Sequence, residues 1–250
     1  MKRNLNNSTE ENTVNMKESS NWLLHGYLTP QEEGSLCKIQ DRNVFFNNAK
    51  CKHCQTANQT VDHLATKCGK LLEHEYKHRH DEVAKAVHHH ICYEYGLTKK
   101  CRKNYTVQPV IANERVRIKF DQPITTDTRV AHNRPDILVH DLRRKVATII
   151  EIGITCGPLL ANVETTKARK YEHLAGEIRG MFPGTTVNMI PIVMSWDGRV
   201  TKHFKRYTQA LGMTKHLRAY IQGISLKKTR DTMMMDLTEP GLLEDYNNFD

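Results

Sequence analysis

Two acids stand inside otherwise apolar runs of this chain: Asp136 in Arg134-Pro135-Asp136-Ile137-Leu138-Val139, and Glu151 in Ile149-Ile150-Glu151-Ile152-Gly153-Ile154-Thr155. Two runs of strand length around the short charged loop Leu142–Lys145 predict an antiparallel hairpin. With that loop, Asp141 pairs with Val146 and Asp136 falls opposite Glu151. Facing side chains in such a pair have Cβ atoms about 4.5–5.5 Å apart. Two carboxylates about 5 Å apart repel by roughly 3 kcal/mol at an effective dielectric of about 20. A cation is therefore expected between them. Hard carboxylate oxygens suit Mg²⁺ or Mn²⁺, and the Ile152 carbonyl is a further oxygen for the same ion.

A helix predicted over Asn162–Phe182 supplies the complement. Taking Val163 as the origin of a helical wheel, its apolar residues (Val163, Tyr171, Leu174, Ile178, Met181, Phe182) span roughly 0° to 100°. Lys167 falls near 40°, inside that face, and Lys170 near −20°, on its edge, both aimed at the two acids (~100° per residue). The alternative for this set is a buried ion pair that holds helix to sheet. A metal held by two carboxylates, with lysine beside it, is equipped to hydrolyse a phosphodiester. The metal polarises a phosphoryl oxygen and lowers the pKa of a bound water, while lysine positions or deprotonates that water or offsets charge.

A second constellation is Cys51-x2-Cys54-x8-His63-x4-Cys68. Four soft or borderline ligands in two close pairs predict a tetrahedral zinc site. All four positions come from protein, so the zinc is expected to be structural. It would supply on the order of 10 kcal/mol to a segment with few apolar residues of its own. His53 is an alternative to His63 with poorer geometry, and a coincidental grouping is the bland alternative to the whole site. Cys37, Cys92, Cys101 and Cys156 lack partners at ligand spacing and read as ordinary thiols. His74-Glu75-Tyr76-Lys77-His78 matches the zinc-protease pattern HExxH. With Leu71 at the origin, its histidines fall near 300° and 340°, whereas Leu72, Tyr76, Val83 and Val87 lie at roughly 100° to 160°. Both histidines should face solvent, and a protease reading would need a second, catalytic zinc. The run His88-His89-His90 spreads over three faces of one turn. Arg79 sits beside the apolar face, suited either to a phosphate or carboxylate contact or to packing of its stem. Lys99, Lys100, Arg102 and Lys103 are candidate phosphate contacts, or else a solvated loop.

These residues need a scaffold. Residues 1–20 are polar and read as a disordered tail, 21–50 as a packing segment with a short helix over Ser35–Asn43, and 51–70 as the zinc knuckle. A core is expected over 71–222. It starts with a long helix over 71–95 and an irregular basic stretch over 97–113. Strands follow over Arg115–Phe120, Pro135–His140 and Val146–Ile154, then the lysine helix, ended by Pro183-Gly184, and a strand over Val187–Met194. An amphipathic helix near 201–222 precedes a frayed tail, 223–250. The fold class is α/β: helix, three-strand meander, helix, strand. Among 250 residues, 37 Lys and Arg oppose 28 Asp and Glu, a net charge of +9. The pI near 9.2 points to an anionic partner. A mean hydropathy of −0.62 and the lack of any apolar run of about 20 residues exclude a membrane span. The N-terminal segment has no apolar core of a secretory signal.

The sequence RPDIL followed by IIEIGIT, in this order of elements, resembles the PD-(D/E)xK nuclease superfamily. With the CCHC motif upstream, an RHDEV helix and a KARKYEHL helix, residues 35–222 resemble the restriction-like endonuclease domain of site-specific non-LTR retrotransposon polyproteins. The resemblance implies an endonuclease that nicks target DNA so that the 3′ end primes reverse transcription of element RNA, in the nucleus. It also implies a zinc knuckle that helps hold nucleic acid and a reverse-transcriptase domain as partner; that domain's acidic palm motif is absent here. By the same likeness Asp136 and Glu151 are the paired acids, and Glu82 is the extra acid of the first helix. The superfamily lysine would stand at residue 153, which is glycine here. In the retrotransposon branch it comes from the next helix, which implies Lys167 or Lys170, the latter preceding Tyr171 as in that branch's KY pair. The rival readings are a zinc-knuckle nucleic-acid-binding module without chemistry, from a decayed or truncated element, and the HExxH protease.

Overall fold

A computed structural model describes residues 13–45, 49–99 and 105–237. One sheet organises it: β1 (Val110–Ala112), β2 (Val116–Phe120), β3 (Ile137–Asp141), β4 (Val146–Thr155) and β5 (Thr186–Ser195), in that spatial order. Neighbours are antiparallel except β4 and β5, which run parallel. The β3–β4 register is the expected one, with Asp141 opposite Val146 and Ile137 opposite Ile150. Its loop is held by a hydrogen bond from the Arg144 N–H to Asp141 Oδ1 (2.9 Å) and by Lys145 at φ 53°. A parallel neighbour for β4 requires a crossover, and two helices provide it: α7 (Leu160–Lys170) and α8 (Glu172–Met181).

Side chains of a strand alternate between faces, and β4 uses this to sort its residues. Ile150, Ile152 and Ile154 point into a core with Val83, Val87 and Ile91 of helix α6 (Lys77–Glu94). Ala147 and Ile149 point the other way, into a core with Tyr171, Leu174 and Ile178. Glu151 therefore lies on the α7–α8 face, although Asp136, at the entrance of β3, is adjacent.

Helix α6 is longer in effect than its range, because α5 (Gly69–Leu71) and a π-turn over Leu72–Tyr76 lead straight into it. The expected helix over Asn162–Phe182 is two helices. Tyr171 breaks it at φ −112°, ψ 20°, where its buried ring carries a hydroxyl that donates to the Arg134 carbonyl (2.8 Å). The helix expected over Ser35–Asn43 is α3, Pro30–Gln40, started by a Thr29–Glu32 capping box with proline in the first turn. Strand β1 falls in the stretch expected to be irregular.

Both supposed tails are corrected in part. Residues 13–20 are not loose: Val14 bridges to Thr201, and helices α1 (Met16–Ser19) and α2 (Asn21–His25) follow. Buried Glu18 pairs with Arg218 at 2.9 Å. At the other end, after α9 (Phe204–Ala210), helix α10 runs over Lys215–Leu237, well past residue 222. The segment expected to be a frayed tail is packed instead, with Ser225, Thr229 and Thr232 buried. The Thr229 and Thr232 hydroxyls are satisfied by carbonyls one turn back, those of Ser225 and Lys228, both at 2.9 Å. Residues 1–12 and 238–250 lie outside the described residues. No helix among the described residues is long and apolar enough to cross a membrane.

Candidate metal centre and active site

The Cys/His cluster assembles as its spacing predicts. Cys51 and Cys54 lie on a turn, His63 on helix α4 (Val61–Thr66), and Cys68 is the residue that caps α5. Their four donor atoms lie within 4.8 Å of one another. Cys51 Sγ and Cys68 Sγ are 3.8 Å apart, and Cys54 Sγ and His63 Nε2 are 3.3 Å apart. A tetrahedron with Zn–S near 2.3 Å and Zn–N near 2.0 Å has edges of about 3.5 to 3.8 Å, so the set fits a structural metal ion and is compatible with zinc. Hydrogen bonds from the Thr56 hydroxyl and from the Ala57 and Thr56 N–H groups pull the Cys54 thiol down to about 5, toward the thiolate a metal needs. Burial pushes the Cys51 thiol up. His53 is not a fifth candidate, because its Nε2 is 2.7 Å from Asp236 Oδ1.

The HExxH residues do not assemble. His74 and His78 are exposed, and the Cys51–Cys68 set is the metal-ligand group among the described residues. His78 instead lies 4.0 Å from Glu82.

The acids and lysines do assemble, in a groove of about 600 Å³ between the N-terminal part of α6, the β3–β4 edge and α7. Glu151 is 2 % exposed. Its Oε1 accepts from both Lys167 Nζ (2.9 Å) and Lys170 Nζ (2.7 Å), and its Oε2 accepts from the Asp136 N–H (3.4 Å). The two lysines are three residues apart, so one helical face delivers both. Residue 153 explains the position of Lys167. A Cβ built on Gly153 would come 3.0 Å from Lys167 Cε and 3.1 Å from Cδ. The lysine stem from α7 occupies the space that a side chain at 153 would fill.

Asp136 Oδ2 accepts from the Ile152 N–H (2.6 Å) and lies 3.2 Å from His80 Nε2. Burial raises this carboxyl, but the His80 hydrogen bond and charge, with the Ile152 N–H and Lys167, outweigh it and hold it below the usual carboxylate value. Burial likewise lowers His80, and the Asp136 bond and charge overcome this, pushing the imidazole up to about 8. Its Nδ1 is 3.1 Å from Asp81. N–H and C=O of one strand residue point to the same side. The Ile152 carbonyl therefore shares an edge with the N–H that binds Asp136, and the next carbonyl along that edge, Ile154, accepts from the Tyr76 hydroxyl at 2.9 Å.

His80 was not singled out from sequence, although a signal existed. Ala84, His88, Ile91 and Cys92 are buried with Val83 and Val87, which widens the inner face of α6 and puts His80 near its middle. Glu82 is off that face and pairs with Lys85 at 2.8 Å, outside the groove lining; Asp81 is the acid of this helix that lines it. Arg79 is not a surface contact. It is 1 % exposed, donates to the Ala65 carbonyl of α4 and to Thr229 Oγ1 of α10, and stacks on Tyr76. Burial brings its guanidinium down to about 10. Lys99 lines a separate cavity with His89 and Tyr105; Lys100, Arg102 and Lys103 lie outside the described residues. The groove's own lining cations also include Lys77, Lys85 and Arg134.

No protein-family profile matches the chain, and no curated protein matches it.

Proposed function

We propose that this chain is a metal-dependent DNA endonuclease with a PD-(D/E)xK-type core and a zinc knuckle. The observation that carries the reading is the placement of Lys167. Its stem lies over Gly153 and its Nζ on Glu151, so a lysine from α7 takes the space of one two residues after the second acid. Asp136 and Glu151, with the Ile152 carbonyl, would hold Mg²⁺ or Mn²⁺. Both ions take oxygen ligands, and Mg²⁺ commonly binds through one or two carboxylates plus a substrate phosphate. Bound there, the ion would polarise a phosphoryl oxygen and acidify a water. Lys167 and Lys170 orient Glu151 and present positive charge where charge develops on the phosphorus oxygens. His80 fixes the Asp136 carboxylate, and Asp81 fixes the imidazole. The knuckle's structural ion is assigned as zinc. By resemblance, the substrate is target DNA in the nucleus, nicked to prime reverse transcription of element RNA.

The same contacts favour one rival. With Lys167 and Lys170 on Glu151 and His80 near Asp136, both acids already have cationic neighbours, as a helix-to-sheet clasp would provide. Nicking of supercoiled plasmid with Mg²⁺ separates the two. The wild type should nick, and Asp136→Ala should lose nicking by at least a hundredfold while keeping DNA binding. Equal behaviour of the two proteins, both binding DNA, would leave the clasp and a binding module without chemistry.

A further inference from the structure

Helix α7 has a second functional face. Lys167 and Lys170 serve the groove, whereas Glu164, Thr165, Ala168 and Arg169 line a separate cleft of about 290 Å³ on the other side of the helix. The far wall is α9 with the residues just before it, Lys202, His203 and Tyr207. Arg206 stacks on the Tyr207 ring at 5.1 Å, and the His203 ring meets the same tyrosine edge-on. Arg169, Lys202, His203 and Arg206 are all exposed. No ion pair to a carboxylate is found for Arg169, Lys202 or Arg206 among the described residues. The one acid in the wall, Glu164, is buried and accepts from the Thr201 hydroxyl. Burial raises its carboxyl, opposed by the Thr201 hydrogen bond and by the charges of His203 and Arg206.

Three exposed cations and a histidine, with Glu164 as the single acid in the wall, form a surface with an excess of positive charge. A helix with its side chains is about 10–12 Å across, which matches the roughly 12 Å width of a DNA major groove. We infer that the α7–α9 cleft is a second contact for the phosphate backbone of duplex DNA, held while another phosphate lies in the Asp136–Glu151 groove. The inference rests on the endonuclease reading for its substrate and adds where that substrate docks. The duplex straddles α7, with Lys167 and Lys170 facing the reacting phosphate and Arg169, Lys202 and Arg206 each facing a phosphate further along the backbone.

Salt dependence tests this with a number. Each phosphate contact contributes about 0.9 to the slope of log K against log salt, or about eightfold in affinity at roughly 0.1 M salt. The full chain carrying Asp136→Ala, which prevents cleavage, is titrated with a fluorescent 25-base-pair duplex over a range of salt. It is compared with the same chain carrying Arg169→Ala, Lys202→Ala and Arg206→Ala. A control carries Lys38→Ala, Arg143→Ala and Arg179→Ala, three exposed cations outside the groove, the cleft and the knuckle. Circular dichroism and bound zinc confirm folding of each. The cleft variant should lose about two to three units of slope, with the control close to the parent. An unchanged slope, or an equal loss in the control, overturns the inference. Plasmid nicking by the chain with Asp136 intact is read separately. Nicking with an unaltered slope rejects the cleft alone; an altered slope without nicking rejects the nuclease reading and leaves the cleft.

Discussion

The Cys/His cluster and the carboxylate groove both gather charged or reactive groups, but they do it with opposite geometry. The cluster draws its ligands from 18 consecutive residues, Cys51 to Cys68, and closes around them: Cys51 and Cys68 are fully buried and each position is protein. The groove draws on residues from His80 to Lys170, five side chains on four separate elements or their ends, and leaves a cavity of about 600 Å³ open to a ligand. Closure suits a structural ion, whereas an open face suits a substrate. The two regions are also joined. Cys68 leads through the π-turn directly into α6, Arg79 of that helix grips the Ala65 carbonyl of the knuckle, and its neighbour His80 reaches Asp136.

The largest effect should come from breaking the closed region. Chelation of the knuckle's metal removes on the order of 10 kcal/mol of binding free energy from a segment with little core, and Cys68→Ser, which strips one of four ligands, a share of it. The knuckle should unfold, as read by proteolysis within 51–68. If the two regions are joined as described, hydrogen exchange should also rise over 77–84 in α6. Protection there that stays at its native level would mean that the groove stands without the knuckle. A smaller break uses the joint itself. Arg79→Ala leaves a cavity and strips a partner from the Ala65 carbonyl, at an expected loss of about 3 kcal/mol in urea denaturation.

The α6 end away from the groove offers a comparison by pH. Buried His88 is pulled down to about 4, by burial first and then by the charge of His89, and lies 2.9 Å from the Tyr105 hydroxyl. Its folded pKa is below its unfolded value near 6.5. The neutral form is therefore favoured by folding: its contribution is complete above about pH 6.5 and declines as pH falls toward 4. The expected loss is about 2–3 kcal/mol across that window. His88→Phe should flatten the stability profile between pH 6.5 and 4, and an unchanged slope would remove His88 as its source.

The difference between the two regions also governs what the sequence made legible. The Cys/His cluster declares itself by local spacing, and the β3–β4 register followed from one charged loop between alternating strands, so Asp136 and Glu151 could be paired without a structure. Lys167 and Lys170 followed from helical periodicity, even though the helix that carries them is shorter than it looked. His80 lay within the inner face of α6, but its contact with Asp136 depends on where that helix crosses the sheet, which periodicity alone does not record. Arg79 was misplaced for a related reason: α4 and α10 cover it, and α10 was hidden by buried polar side chains, of which the Thr229 and Thr232 hydroxyls bond within the helix. The same concealment made residues after 222 look like a tail.

The smallest expected effect bears on a choice within the open region, between two lysines that share one oxygen. Gly153→Ala places a Cβ about 3.0 Å from the Lys167 Cε. The stem is flexible, so stability should change by less than about 1 kcal/mol. The displaced Nζ should lower nicking about tenfold, near 1.4 kcal/mol in barrier. Lys167→Ala should lower it further, with Lys170 still on Glu151. If position in space is what matters, the double variant Gly153→Lys/Lys167→Ala should recover nicking over Lys167→Ala alone. Truncating Lys167 vacates the room that the new stem needs, and Val193 Cγ2 at 3.1 Å is the remaining neighbour to yield. Recovery would place the reacting lysine by the end of β4 regardless of which element carries it. No recovery, together with full loss in Lys170→Ala, would assign the chemistry to Lys170 and leave Lys167 as the clasp between α7 and the sheet.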